Sequence, residues 1–162
     1  MQVKLPREPK ICKIENGKIH FSSDIIIPYK PMIGTIGVAP FVESESISTG
    51  VLSGRHGGNM DLQNITIGSQ VFLPVFHEGG LLYLGDVHAV QGDGEISGTA
   101  VEMPAEVKIK IDLIDKETLD WPRIENEKEV MVVSTTSAGR TFEDAIRTAF
   151  MELTIWMEKK YS

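Results

Sequence analysis

Hydrophobic periodicity changes once along this chain, near Gly139, and that change limits the fold more than any other feature. Beyond it, Phe142, Ala145, Ile146, Ala149, Phe150, Leu153, Trp156 and Met157 recur at the spacing of one helix face. Thr141 with Asp144 predicts a capping box at the start of that helix, which should span about 139–161. Before the change, apolar residues come in short runs of strand length, punctuated by glycine, proline and asparagine. The expected class is mainly β, with antiparallel sandwich-like or barrel-like sheets and one C-terminal amphipathic helix. A chain of 162 residues can bury one core, so a single domain over 1–162 is expected.

Local signals place about seven strands. Asn16-Gly17, between short apolar runs in 11–21, predicts a hairpin, because both turn residues must take positive φ. Asp24 to Tyr29, Gln70 to Val75, Leu81 to Val90 and Val130 to Ser134 read as strands. Glu106 to Ile114 alternates most cleanly, with Val107, Ile109, Ile111 and Leu113 opposite Lys108, Lys110 and Asp112. It should be a half-buried strand. Pro31 to Pro40 carries glycines suited to threading a core closely. Phe41 to Asn64 is polar, glycine-rich and long for a loop, which favours a functional role.

Charge and composition exclude several functions. A net charge of −7 with scattered Lys and Arg offers no patch for a phosphate backbone, so no nucleic-acid partner is expected. No apolar run approaches the ~18 residues of a membrane span. The single cysteine, Cys12, rules out an internal disulfide and a CxxC metal motif. No secretory h-region follows Met1, so a cytoplasmic protein without membrane partners is expected.

The chemistry concentrates in Leu84-Gly-Asp-Val-His-Ala-Val-Gln-Gly-Asp-Gly-Glu95. Asp86 and His88 are two apart and leave the same face of an extended strand, as ligands of a divalent metal or as an acid–imidazole pair polarising water. Capping a strand end is the competing reading, weakened by the company of Gln91, Asp93 and Glu95. Glu95, beside apolar Ile96 and Val101, is the favoured general base through a raised pKa. Glu102 is the second candidate. Asp93, between glycines, fits a turn instead. A second cluster, His56-Gly-Gly-Asn-Met-Asp61, offers Asn59 as an oxyanion donor or, about equally well, a loop closed by its own hydrogen bonds. His20, His77 and Cys12 lack reactive company, and Ser53 lacks the geometry of a nucleophile elbow.

Three segments together resemble the acetamidase/formamidase family: Pro31-Met-Ile-Gly-Thr-Ile-Gly-Val-Ala-Pro40, His56-Gly-Gly-Asn-Met-Asp61, and Leu84 to Glu95 with Gly98-Thr-Ala-Val-Glu102. Leu73-Pro-Val75 and Phe142-Glu-Asp-Ala145 fit the same pattern. The resemblance implies hydrolysis of short aliphatic amides to carboxylate and ammonia on a mostly β fold. It also implies a divalent metal, zinc before calcium. On this reading Asp86, His88 and Glu102 hold the metal, and Glu95, His88 and Asn59 act in catalysis. His56, Asp61, Gln91 and Gly92 contact the amide. Family members are roughly twice this length, so a homo-oligomer, or a partner chain supplying the other half, is expected. The competing functions are a non-catalytic small-ligand-binding module and one subunit of a split amidase.

Overall fold

The computed structural model describes residues 9–41, 48, 53–115, 117–136 and 139–161. The chain begins with a meander of β1 (Lys13–Glu15), β2 (Lys18–His20) and β3 (Ile26–Pro28). Asn16 and Gly17 take φ of 52° and 72° between β1 and β2, the mirror-image turn that their sequence predicts. Ile19, fully buried, faces inward from β2.

A five-stranded antiparallel sheet follows, built from β4 (Met32–Gly37), β5 (Ser53–Gly54), β6 (Gly57–Asn59), β8 (Tyr83–Val90) and β9 (Val101–Glu102), in the order β5-β6-β4-β8-β9; β7 (Gln70–Phe72) intervenes in sequence but pairs elsewhere. At its centre β4 pairs with β8, bringing Met32 opposite His88 and Thr35 opposite Gly85. Glycine makes the close approach practicable. A Cβ on Gly37 would lie 2.7 Å from the Tyr83 hydroxyl and 2.8 Å from the Gly58 nitrogen. The third sheet pairs β10 (Arg123–Glu125) with both β7 and β11 (Val130–Val132). Ile36, Met60, Ile65, Ile124 and Val133 form the apolar cluster joining this sheet to the five-stranded one.

Helix α1 (Phe142–Tyr161) opens as its capping box requires. The Asp144 amide donates to Thr141 Oγ1 at 3.1 Å, and the Thr141 amide donates back to Asp144 Oδ2 at 3.3 Å. The inner face of α1 presents Ala145, Glu152 and Trp156. Glu152 meets the buried Arg123 guanidinium at 3.4 Å, and Arg123 also lies over the Trp156 ring. No helix of the described residues is long and apolar enough to cross a membrane.

Two segments differ from the sequence reading. Glu106 to Ile114 forms no strand, and Ile111 and Leu113 are 71% and 72% exposed. Alternation reports that a segment suits a half-buried pleated surface; a ladder also needs a neighbouring strand, and the described residues provide none. Phe41 to Asn64, read as one loop, contains β5 and β6. These strands are almost all glycine and polar residues and show no apolar period. Within that range, 42–47 and 49–52 lie outside the described residues.

His56, in the turn between β5 and β6, is buried, and its Nε2 has no hydrogen-bond partner. Burial holds its pKa below the ordinary 6.5. As pH falls through 6.5 the unfolded chain therefore takes up this proton before the folded one. The stabilising contribution, complete above that pH, is lost below it. The raised pKa of His88 acts in the opposite direction in the same window, so the test is a difference. Between pH 7 and pH 5 the urea midpoint of the parent should change less favourably than that of His56→Gln. In the Arg123–Glu152 pair, Glu152→Ala leaves a buried guanidinium without its counter-charge and should cost about 3–5 kcal/mol in chemical denaturation. A loss under about 1 kcal/mol would show the pair to be solvated.

Candidate active site

The site forms where β4, β6, β8 and β9 converge. His88, in β8, is almost completely buried, and Glu102 of β9 is its register partner. His88 Nε2 therefore lies 3.1 Å from Glu102 Oε2 and 3.2 Å from Asp86 Oδ1. The other ring nitrogen is held from behind. Gln91 Nε2 donates to the Asp61 carbonyl at 2.6 Å, which turns Gln91 Oε1 toward His88 Nδ1 at 2.9 Å. An amide oxygen only accepts, so Nδ1 carries the proton and Nε2 is the atom presented to the carboxylates.

Asp61 reaches the same point from the end of β6. Its amide and that of Met60 both donate to the Gly34 carbonyl at 3.1 Å. Gly34 leaves room for the acids: a Cβ there would lie 2.6 Å from Asp86 Oδ2 and 2.7 Å from Asp61 Oδ1. Asp86 and Asp61 are bridged through two neutral side chains. Thr35 Oγ1 lies 2.7 Å from Asn59 Oδ1 and 3.3 Å from Asp86 Oδ2, and Asn59 Nδ2 donates to Asp61 Oδ2 at 2.8 Å. Glu95 enters from a single 3-10 turn, Asp93–Glu95.

Asp61, Asp86 and Glu95 have φ of 47°, 59° and 43°. Left-handed backbone costs an L-residue about 1–2 kcal/mol, and only five non-glycine residues among those described adopt it. Three of the five are acids of this site, which marks local strain accepted in exchange for side-chain placement.

The electrostatics follow from crowding. Burial raises the Asp61 pKa, and the Asp86 charge raises it further. Burial likewise raises that of Glu95, helped by Asp61. Ile96 is not the cause that its sequence position implies, being 96% exposed. For His88, burial works against the charged form, but Glu102, Asp86 and Gln91 together outweigh it and leave the pKa raised.

Two sets of donor atoms could hold a cation: Asp86, His88 and Glu102, and Asp61, His88 and Glu95, each with its atoms within 4.8 Å of one another. The orphaned atoms fit such a group. His88 Nε2 and Asp61 Oδ1 are buried without an aligned hydrogen bond, and His88 and Asp61 both belong to these donor sets.

The cleft above these groups has a volume of about 480 Å³ and is lined by Asn59, Asp61, Asp86, Glu95 and Glu102, with Thr35, Tyr83 and Leu84 among its walls. Of the expected site residues, the structure gathers Asn59, Asp61, Asp86, His88, Gln91, Glu95 and Glu102. His56 and Gly92 do not line the cleft. His56 is buried in its own turn, and Gly92 is an exposed residue at the start of the 3-10 turn. Thr35 and Tyr83 escaped the sequence reading. A lone threonine inside the glycine-rich run of β4 was the available signal for the first. Tyr83, two residues before Gly85, carried none.

Known proteins share these segments. The model of the Acetamidase/Formamidase family matches residues 32–139. A formamidase of Methylophilus methylotrophus is 50% identical over 60 residues, 36% of this chain and 15% of that protein. An acetamidase of Mycolicibacterium smegmatis is 50% identical over 61 residues, 37% of this chain and 15% of that protein. The crystal structure of an acetamidase from Yersinia enterocolitica superposes with a TM-score of 0.85 at 43% identity, covering 94% of this chain and 44% of that one. An acetamidase from Bacillus halodurans gives 0.82 at 33% identity, covering 93% and 49%. The chain thus spans less than half the length of these solved relatives. With two thirds of its residues inside the family model, it belongs to the acetamidase/formamidase family.

Proposed function

We propose that this chain carries the catalytic cluster of an amidohydrolase that converts short aliphatic amides to carboxylate and ammonia, with a divalent cation held by Asp86, His88 and Glu102. The observation that carries the reading is the fixed tautomer of His88. Gln91 occupies Nδ1, so Nε2 presents a lone pair to two carboxylates at 3.1 and 3.2 Å. Neutral imidazole with carboxylates is a nitrogen–oxygen ligand set that suits zinc, whereas calcium takes six to eight oxygens. A bound cation supplies a Lewis acid that acidifies water and polarises the amide carbonyl.

The chain's own residues divide the remaining work. Gln91 keeps His88 in one tautomer and one orientation. Glu95, whose pKa is raised toward the working range of a base, accepts the proton of the attacking water at its carboxylate and delivers it to the departing amine nitrogen. Asn59 spends one Nδ2 proton on Asp61 and retains the other for the developing oxyanion. Tyr83 and Leu84 wall the cleft beside the acids. The names of the formamidase and acetamidase relatives support this substrate class.

The direct test is ammonia release from formamide, acetamide and longer amides, with and without chelator. Release that chelation removes and a divalent ion restores is the expected result. Turnover indifferent to chelation would overturn the cation, and a folded protein inert toward every amide would overturn the reaction. Glu95→Gln should lower turnover at least ~100-fold, the usual worth of a positioned base. Its melting temperature should stay near that of the parent, and near-normal turnover would remove Glu95 from the mechanism.

A further inference from the structure

The cleft is rich in groups that accept a hydrogen bond and poor in groups that give one. Asp61, Asp86, Glu95 and Glu102 line it with carboxylate oxygens, which in the ionised form only accept. Thr35 has a single hydroxyl proton, and Asn59 Oδ1 and Asp86 Oδ2 both stand within reach of it. Two side-chain donors then remain on the lining: the second Nδ2 proton of Asn59 and the hydroxyl of Tyr83.

Register puts these two on one face of the sheet. Thr35 of β4 pairs with Asn59 of β6 and with Gly85 of β8, and Gly37, two residues on, pairs with Tyr83. Directly paired residues share a face, as do residues two apart in a strand. At Gly37 a Cβ would crowd both the Tyr83 hydroxyl and the Gly58 nitrogen, so the phenol reaches over β4 toward the residue before Asn59. At Gly85 a Cβ would meet nothing within 4 Å, so the floor between Tyr83 and Thr35 stays open. The half-buried hydroxyl makes no hydrogen bond to a described residue, although a phenol so placed usually finds a partner. Burial raises its pKa, so it keeps its proton at neutral pH.

We propose that the Tyr83 hydroxyl donates to the amide oxygen as it becomes an oxyanion, as the second donor beside Asn59. The assignment rests on the amide-hydrolysis reading of this cleft. Supply and demand decide which end of the substrate Tyr83 meets. The amide nitrogen brings N–H donors, and the carboxylates already accept them. The amide oxygen needs donors, and among the side chains of the lining Asn59 and Tyr83 have them to give. As the water oxygen bonds to the carbonyl carbon, its proton passes to Glu95 and the π pair moves onto the amide oxygen, where both donors strengthen their bonds. As the tetrahedral centre collapses, that pair returns, the C–N bond breaks and the departing nitrogen takes the proton from Glu95. Tyr83 keeps its own proton throughout.

Tyr83→Phe keeps the ring and removes the donor. With acetamide, kcat should fall about 100-fold while KM changes little, because the bond strengthens only in the transition state. Thioacetamide supplies a second readout. Sulfur is the weaker acceptor, so the parent's preference for acetamide over thioacetamide should shrink in the variant. A ratio of two substrates in one sample does not depend on how much of the sample is folded, so this readout stands even if the variant melts lower. A ring that serves only as a wall leaves the ratio unchanged. A kcat near that of the parent, a loss confined to KM, or an unchanged ratio would overturn Tyr83 as the donor and leave the amidase reading in place. A well-folded parent inert toward every amide would overturn that reading and this assignment with it.

Discussion

Four carboxylates cannot crowd one buried imidazole unless something positive joins them, and the site is arranged around that constraint. Asp61, Asp86, Glu95 and Glu102 all act on His88 through their charge or contacts. With Nδ1 protonated by the demand of Gln91, the imidazole can answer in two ways. It can take a second proton at Nε2 and become the cation itself, which the raised pKa favours. Alternatively it can offer the Nε2 lone pair to an ion that the acids also ligate. Both answers place positive charge at the same point, between Asp86 and Glu102. The hydrogen bonding behind the ring fixes that point before any substrate arrives.

The backbone carries the cost of this arrangement. Asp61, Asp86 and Glu95 hold left-handed φ although none is glycine, while Gly34 supplies the empty volume that lets two acids approach over β4. Asp86 is the sharpest case, because it interrupts β8 in mid-strand while its neighbours keep register with β4. Such a strand survives only where the flanking pairs hold it. Those pairs are the most extensive in the five-stranded sheet, and they join the strand bearing His88 to the one bearing Gly34.

The parts of this molecule that were legible in the sequence are those where one local rule decides the outcome. Asn16-Gly17 dictates its turn, and Thr141 with Asp144 dictates its helix start. The run from Leu84 to Glu95 advertises polar groups that core packing would not gather. What was not legible depended on neighbours. Glu106 to Ile114 has the pattern of a strand and no companion among the described residues. Gly57 and Gly58 have the companion and no pattern. Thr35 becomes part of the site only because β6 and β8 flank β4 and bring Asn59 and Asp86 to either side of its hydroxyl. His56 shows the converse. Its glycines suggested access for a ligand, but they serve close packing: a Cβ on Gly57 would lie 2.4 Å from the Ile36 carbonyl.

Asn59 shows how bonds fix the orientation of a group read from its motif. An amide free to rotate would lose orientational entropy on meeting an oxyanion, and would offer oxygen as readily as nitrogen. Here the Thr35 hydroxyl occupies Asn59 Oδ1 and the Asp61 carboxylate occupies one Nδ2 proton. Both bonds favour the same flip state, so the remaining N–H has one direction left. That is the condition under which a hydrogen-bond donor stabilises developing charge without reorganising as it develops. The loop-closing and charge-stabilising readings of Asn59 are therefore not rivals. The bonds that close the loop are the ones that aim the donor.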